Sequence, residues 1–169
     1  MNIELRKWTM KDIYSLVNIS NEVDRTYLTG SMPKPYRKED ALWFIKNAYK
    51  RDGKSGIYRS IVVNDEYVGE ISIVCLDDIH SRTGNLGYYM IDAYKGMGVM
   101  SEAVKQICEL AFQQLNIYRI QATTFEENFA SRKVLEKNGF ELEGTLKNHI
   151  FKNSTISNEC IYGKSRIDL

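Results

Sequence analysis

The sequence predicts a mixed α/β (α+β) fold, in which one central, mostly antiparallel sheet is flanked by helices. Three observations predict it. Segments of strand and helix periodicity alternate in the order β-α-α-β-β-β-α-β-α-β-β. Hairpin turns join some strands while helices carry the chain between others, so antiparallel pairs and crossovers share one sheet. No repeat, low-complexity run or long linker divides the 169 residues, a length suited to a single domain over residues 1–169.

Each element has its own signal. Ile3–Arg6 alternates apolar and charged residues, as a short strand does. Thr9 is a helix cap with Asp12 in the first turn, and Met10, Ile13, Leu16 and Val17 keep helical spacing. LTGSMPKPYR, residues 28–37, holds both prolines of the chain and reads as a loop. Lys38-Glu39-Asp40 opens a second helix with Ala41, Trp43, Phe44, Ile45 and Ala48 on its apolar face, and Trp43 is expected in the core. Residues 57–63 and 67–76 are strands joined by the Asn64-Asp65-Glu66 turn. DDIHSRTG is a polar loop, and residues 86–91 form the next strand. A strong helix follows, with Val99, Ala103, Val104, Ile107, Leu110, Ala111 and Leu115 on one face. YRIQATTF alternates as a strand. Residues 128–138 are helical, with Gly139 as a left-handed stop. Residues 140–143 and 157–165 are the last strands.

Composition excludes several classes. The 23 Lys and Arg against 22 Asp and Glu leave no basic field for direct nucleic acid binding. Cys75, Cys108 and Cys160 are far apart and form no zinc or redox pattern, so no metal is expected, and reduced thiols fit a cytoplasmic location. No apolar run is long enough to span a membrane. The first residues, MNIELRKWTMKD, contain no apolar signal core.

Chemistry concentrates in two segments. AYKGMGVMSEA places Gly96 and Gly98 between a strand and a helix. Glycines there serve either a tight turn or a phosphate cradle, because helix N-terminal amides lack intrahelical acceptors and carry partial positive charge. The spacing is neither G-x-G-x-x-G nor a P-loop. Some thirty residues on, NFASRKVLEKNGF puts Asn128 and Ser131 on one helix face, either as a plain capped helix or as part of a site.

Together, GYYMIDAYKGMGVMSEAVKQICELAF, YRIQATTFEENFASRKVLEKNGF and ELEGTLKN resemble the Gcn5-related N-acetyltransferase (GNAT) superfamily. The phrases N-x-x-S-x-x-V-L-E-K-x-G-F and E-x-E-G-x-L look most like its ribosomal-protein N-terminal acetyltransferases. The resemblance implies a GNAT fold with splayed central strands. It also implies acetyl transfer from acetyl-coenzyme A (acetyl-CoA), as cosubstrate, to a primary amine that attacks the thioester directly. The acceptor it favours is the N-terminal α-amine of a (ribosomal) protein; a polyamine or aminoglycoside is the alternative. Two rivals are a non-catalytic acetyl-CoA-binding module and a structural domain without cofactor. A homodimer paired through residues 156–161 is a further possibility the family raises.

The resemblance also assigns residues. The backbone of Tyr89, Met90 and Ile91 would pair with the pantetheine arm. Lys95, Gly96, Met97, Gly98, Val99, Met100 and Ser101 would take the pyrophosphate, Asn128 would hydrogen-bond the pantetheine, Ser131 would lie near the thioester sulfur, and Arg132 would approach the phosphates or stay a solvated charge. Lys95 and Met100 depart from the family's usual turn residues, so Met100 is expected to point its side chain away from the phosphates. Leu135 stands where many members have a proton-donating tyrosine; the subgroup this chain resembles uses a serine, which fits Ser131, so the resemblance implies Ser131 or a water as the acid. Thr123 stands where some members have a glutamate base. Glu70, on a central strand, is the first candidate for the base, ahead of Asp92 and Glu126. Tyr36, Glu70 and Tyr88 are expected to line the acceptor site, with one of Tyr88 and Tyr89 in the cleft and the other in the core. His80 and His149 are expected at the surface.

Overall fold

A computed structural model describes residues 1–167. Its elements are β1 (Ile3–Arg6), α1 (Ile13–Glu22), α2 (Lys38–Arg51), β2 (Gly56–Val63), β3 (Glu66–Cys75), β4 (Thr83–Met90), α3 (Val99–Gln114), β5 (Arg119–Phe125), α4 (Phe129–Lys137), β6 (Glu141–Lys152) and β7 (Thr155–Ser165). One seven-stranded sheet runs in the order β1-β2-β3-β4-β5-β7-β6. Every pairing is antiparallel except β4 with β5, which the α3 crossover makes parallel.

That parallel pair is short. Only Thr83–Asn85 aligns with Arg119–Gln121, and beyond Asn85 the two strands separate. From Leu86 to Met90, β4 therefore has β3 on one side and an opening on the other.

Helices cover both faces. Tyr88 and Tyr89, neighbours on β4, point to opposite faces of the sheet. Tyr88 reaches Ser131 on α4 and Tyr89 reaches Ser20 on α1. The core fills both layers: Leu16 and Ile45 on one side, Val104 and Ile107 on the other, all nearly inaccessible.

Local chemistry explains the element ends. Thr9 Oγ1 accepts from the Lys11 amide while Asp12 Oδ2 accepts from the Thr9 amide, a reciprocal cap ahead of α1. Asn128 caps α4 by accepting from the Ser131 amide at 3.2 Å. Gly139, at φ +77°, ends α4, and the Phe140 amide then bonds the Leu135 carbonyl.

Two expectations need correction. Trp43 is 68% exposed, because α2 turns Ala41, Ile45 and Ala48 inward and leaves Trp43 outside that stripe. β6 runs to Lys152 rather than stopping at Glu143. It is an edge strand without a buried residue, so its sequence lacks the apolar alternation that marks a strand. Residues 156–161 belong to β7, which has β6 as a ladder partner from Thr155 onward and β5 only from Glu159, and the edge strands of the sheet are β1 and β6.

A buried ion pair ties α2 to the sheet. Arg59 Nη1 lies 2.6 Å from Asp52 Oδ1 and also donates to the Tyr58 carbonyl, with Lys7 3.1 Å from the other Asp52 oxygen. Burial alone would raise the Asp52 carboxyl, but the bonds from Arg59 and Lys7 outweigh it and hold the group below its usual range. Asp52→Ala strands the Arg59 charge and is expected to cost about 3 kcal/mol in urea denaturation near neutral pH. A depressed carboxyl stabilises above its unfolded pKa, and the gain is lost as pH falls through the folded value. The difference between the wild type and Asp52→Ala should accordingly shrink in acid.

Candidate active site

The separation of β4 from β5 opens a cleft of about 790 Å³ that passes through the sheet. Its walls include Tyr88 and Tyr89 from β4, Thr123 and Thr124 from β5, Ser131 from α4, and Tyr36 and Trp43 from the α1/α2 side. Both tyrosines thus line the cleft, rather than one lining it and one entering the core. They still point to opposite faces, but the opening joins those faces.

The phase of the β3–β4 ladder decides which backbone groups are free. The Ile91 amide donates to Val68 and the Leu76 amide to Thr83, at opposite ends of an unbroken register. Hydrogen-bonded pairs alternate along an antiparallel ladder. Thr83, Asn85, Gly87 and Tyr89 therefore turn their amides and carbonyls to β3, as Ile91 does its amide while its carbonyl accepts from Tyr94, and Leu86, Tyr88 and Met90 turn theirs to the opening. Of the backbone expected to pair with a pantetheine, only Met90 is free. Tyr88 and Leu86 join it, and Tyr89 and Ile91 are already committed.

Glu70 sits on β3 directly opposite Tyr89, so the two side chains share the α1/α2 face. Glu70 lines the cleft at only 5% exposure, and its Oε1 has no hydrogen-bond partner. Burial pushes its carboxyl up to about 8, against a smaller downward pull from Ser72. Burial likewise raises Tyr36 and Tyr89, with smaller contributions from the charges of Asp40 and Glu70 at Tyr36 and of Glu70 at Tyr89.

On the opposite face, the Tyr88 hydroxyl lies 2.7 Å from Ser131 Oγ. Burial raises Tyr88 to about 12. Asn128 lines the cleft while capping α4, so its side-chain oxygen is already in use.

The turn before α3 holds Gly96 at φ +76° and Gly98 at φ +81°. A Cβ at either position would meet nothing within 4 Å, so glycine is required by backbone conformation and not by space. Gly98 caps α3 without a side chain, which leaves the amides of Val99, Met100 and Ser101 without intrahelical acceptors. They edge a smaller cavity of about 380 Å³, whose other wall is α4 with Phe129, Lys133 and Lys137. Lys95 faces the main cleft, with its ammonium 2.7 Å from Asp92 and 3.6 Å from Asp24.

Other expected residues fall elsewhere. Met100 is buried and lines both cavities. Met97 is exposed and lines neither cavity. Arg132 also lines neither. Its guanidinium donates to the Tyr162 hydroxyl at 3.0 Å and the Glu126 carbonyl at 3.1 Å, on the side of α4 facing β7. His80 and His149 are exposed, and His149 pairs with Glu159 at 2.6 Å. Among the described residues, no cluster suited to a metal ion occurs.

Sequence reading missed Asp40 on the cleft and Lys133 and Lys137 at the smaller cavity, while Trp43, for which the core was the default, takes its alternative place on the cleft wall. The lysines had a signal: Phe129, Lys133 and Lys137 recur every four residues, one stripe of α4.

A GNAT acetyltransferase domain model matches residues 2–141. The probable N-acetyltransferase YjcK of Bacillus subtilis is 33% identical over 87 residues, which are 52% of this chain and 48% of that protein. The chain thus spans about half the length of this relative. The uncharacterised N-acetyltransferase YoaA, also of Bacillus subtilis, is 32% identical over 145 residues, covering 85% of this chain and 80% of the relative. A solved structure of RimL, a ribosomal L7/L12 α-N-protein acetyltransferase in complex with coenzyme A, has the same fold. Its TM-score is 0.85 at 18% identity, covering 98% of this chain and 94% of that one. A sheet opened between β4 and β5, a glycine turn at the head of α3 and the matching domain model agree: the chain belongs to the GNAT acetyltransferase family and is an N-acetyltransferase.

Proposed function

We propose that this enzyme acetylates the α-amine of a protein N-terminus in the cytoplasm. The observation that carries the reading is Glu70, a buried carboxylate with an unpartnered oxygen at the wall of the cleft. Attack requires a neutral amine, so a base must take one proton. A carboxyl raised to about 8 matches an α-ammonium, whose pKa is about 8, and makes that transfer nearly isoenergetic. An alkylammonium near pKa ~10.4 would leave the same transfer uphill by roughly 3 kcal/mol. The sequence resemblance to ribosomal-protein acetyltransferases supports the same acceptor class.

The residues fit the donor. The free groups of Leu86, Tyr88 and Met90 offer an extended amide arm a strand-like edge, and the glycine turn offers its phosphates helix N-terminal amides. Lys133 and Lys137 would add cations beside them. Bound acetyl-CoA supplies the thioester. The Tyr88 and Met90 amides face the opening, where they would stabilise negative charge developing on an acyl oxygen. Ser131 would return a proton on the α4 side, and Tyr88, protonated at neutral pH, would replenish it.

Asp40, Trp43 and Tyr27 on the same cleft favour a second acceptor, a small cationic amine. A thiol-release assay with acetyl-CoA separates the two. Peptides with a free N-terminus should turn over, the same peptides N-acetylated should not, and polyamines and aminoglycosides should be slower. Polyamine turnover without peptide turnover would overturn the protein acceptor.

A further inference from the structure

The segment from residue 24 to residue 37 joins α1 to α2 without helix or strand, yet it supplies Asp24, Tyr27, Leu28, Met32 and Tyr36 to the cleft. A loop of this kind has backbone carbonyls that no ladder satisfies, so its conformation needs outside partners. The loop's ends are held by the Asn21 side chain, which accepts from the Tyr36 amide and donates to its carbonyl at 2.8 Å each, and by the 3.6 Å Lys95–Asp24 pair; three further anchors hold what lies between. Arg25 donates to the Met32 carbonyl at 3.0 Å and the Ser20 carbonyl at 2.9 Å, drawing the loop back onto its own end and onto α1. The Tyr27 ring packs against Phe125 at the end of β5, with centroids 5.2 Å apart. The third anchor is Lys152. Its ammonium donates to the carbonyls of Arg25, Thr26 (3.0 Å) and Leu28 (2.6 Å).

Lys152 is the last residue of β6, next to the Asn153-Ser154 turn, where both residues have positive φ. That two-residue turn fixes the strand end from which the side chain projects. An ammonium has three donors and no acceptor, so three converging carbonyls satisfy it fully. The contact bridges the β6–β7 hairpin to the α1–α2 loop, on the far side of the opening between β4 and β5.

We propose that Lys152 is a positioning residue, a latch that holds the 24–37 loop in the shape that binds the acceptor amine. The acceptor role rests on the function proposed above; the latch itself does not. Lys152 lines neither cavity, so it would act through the loop. The cofactor end of the cleft, at Gly96, meets the loop through the 3.6 Å Lys95–Asp24 pair and not through the 25–28 carbonyls that Lys152 holds, so acetyl-CoA affinity should change little.

The test compares wild type, Lys152→Met and Lys152→Arg. Hydrogen–deuterium exchange should be about tenfold faster across residues 24–37 in the methionine variant, unchanged in α3, and restored toward wild type by arginine. With a free-N-terminal peptide as acceptor, KM should rise about tenfold while kcat and acetyl-CoA affinity hold within about twofold. Phe125→Leu, which loosens a separate anchor, should also speed exchange in the same segment. Unchanged exchange in Lys152→Met, or a fall in kcat at constant KM, would overturn the proposal. If the wild type acetylates no peptide, the acceptor reading fails while the exchange data still decide the latch.

Discussion

Glu70→Gln lowers kcat by at least about a hundredfold at pH ~8 and flattens its pH profile. Glutamine keeps the shape of the side chain and removes the basic form. In the wild type, burial raises this carboxyl to about 8, so the competent ionised base is the minor form at pH 7. The rate should therefore climb as pH rises through about 8 and then level off. Stability should move the other way. A carboxyl whose folded pKa is raised stabilises the fold below its unfolded value, and that contribution is lost as pH rises through the folded value. Glutamine carries no such penalty, so the variant should melt above the wild type in alkaline buffer while remaining the poorer catalyst. A pH–rate series with parallel melting curves checks both. A variant within about tenfold of the wild type, or a wild-type rate indifferent to pH, would remove Glu70 from the role of base.

Gly69→Ala lowers stability by about 3 kcal/mol, which corresponds to a fall in melting temperature of roughly 6–12 °C in a chain of this size. A Cβ at this position would lie 2.4 Å from the Tyr89 carbonyl oxygen and 3.1 Å from the Met90 Cα. Both are backbone of the neighbouring strand, which cannot swing aside as a flexible side chain would. Relief requires β3 and β4 to part where they hold Glu70 and Tyr89 opposite one another. Calorimetric affinity for acetyl-CoA should fall with stability, because the free amides of Tyr88 and Met90 shift with β4. A melting temperature within about 2 °C of wild type would show that the sheet absorbs the methyl group.

Particular residues show how far the sequence could be read. The α3 stripe, the Asn128 cap and the Gly139 stop are local devices, written in residues a few positions apart, and they were legible. So was the glycine turn before α3. β6 was legible only at its start, because an exposed edge strand needs no apolar face. Trp43 illustrates the opposite failure: a large aromatic on an amphipathic helix reads as core, yet the helix faces its other side inward. At the site, Glu70 and Ser131 could be nominated from type and position. Their environments could not.

The sequence by itself determined the order and type of most elements and the places where the backbone must turn left-handed. It also carried enough motif for the family to be recognised. Those properties depend on periodicity and steric preferences that act over a few residues. The tertiary structure decided the rest. The phase of the β3–β4 ladder chose Leu86, Tyr88 and Met90 as the free edge. Packing across the sheet brought Tyr88 to Ser131 from 43 residues away, stranded one oxygen of Glu70, and drew Lys152 onto three carbonyls of a distant loop. Desolvation and long-range hydrogen bonding sum over groups that converge only on folding, so no local pattern encodes them.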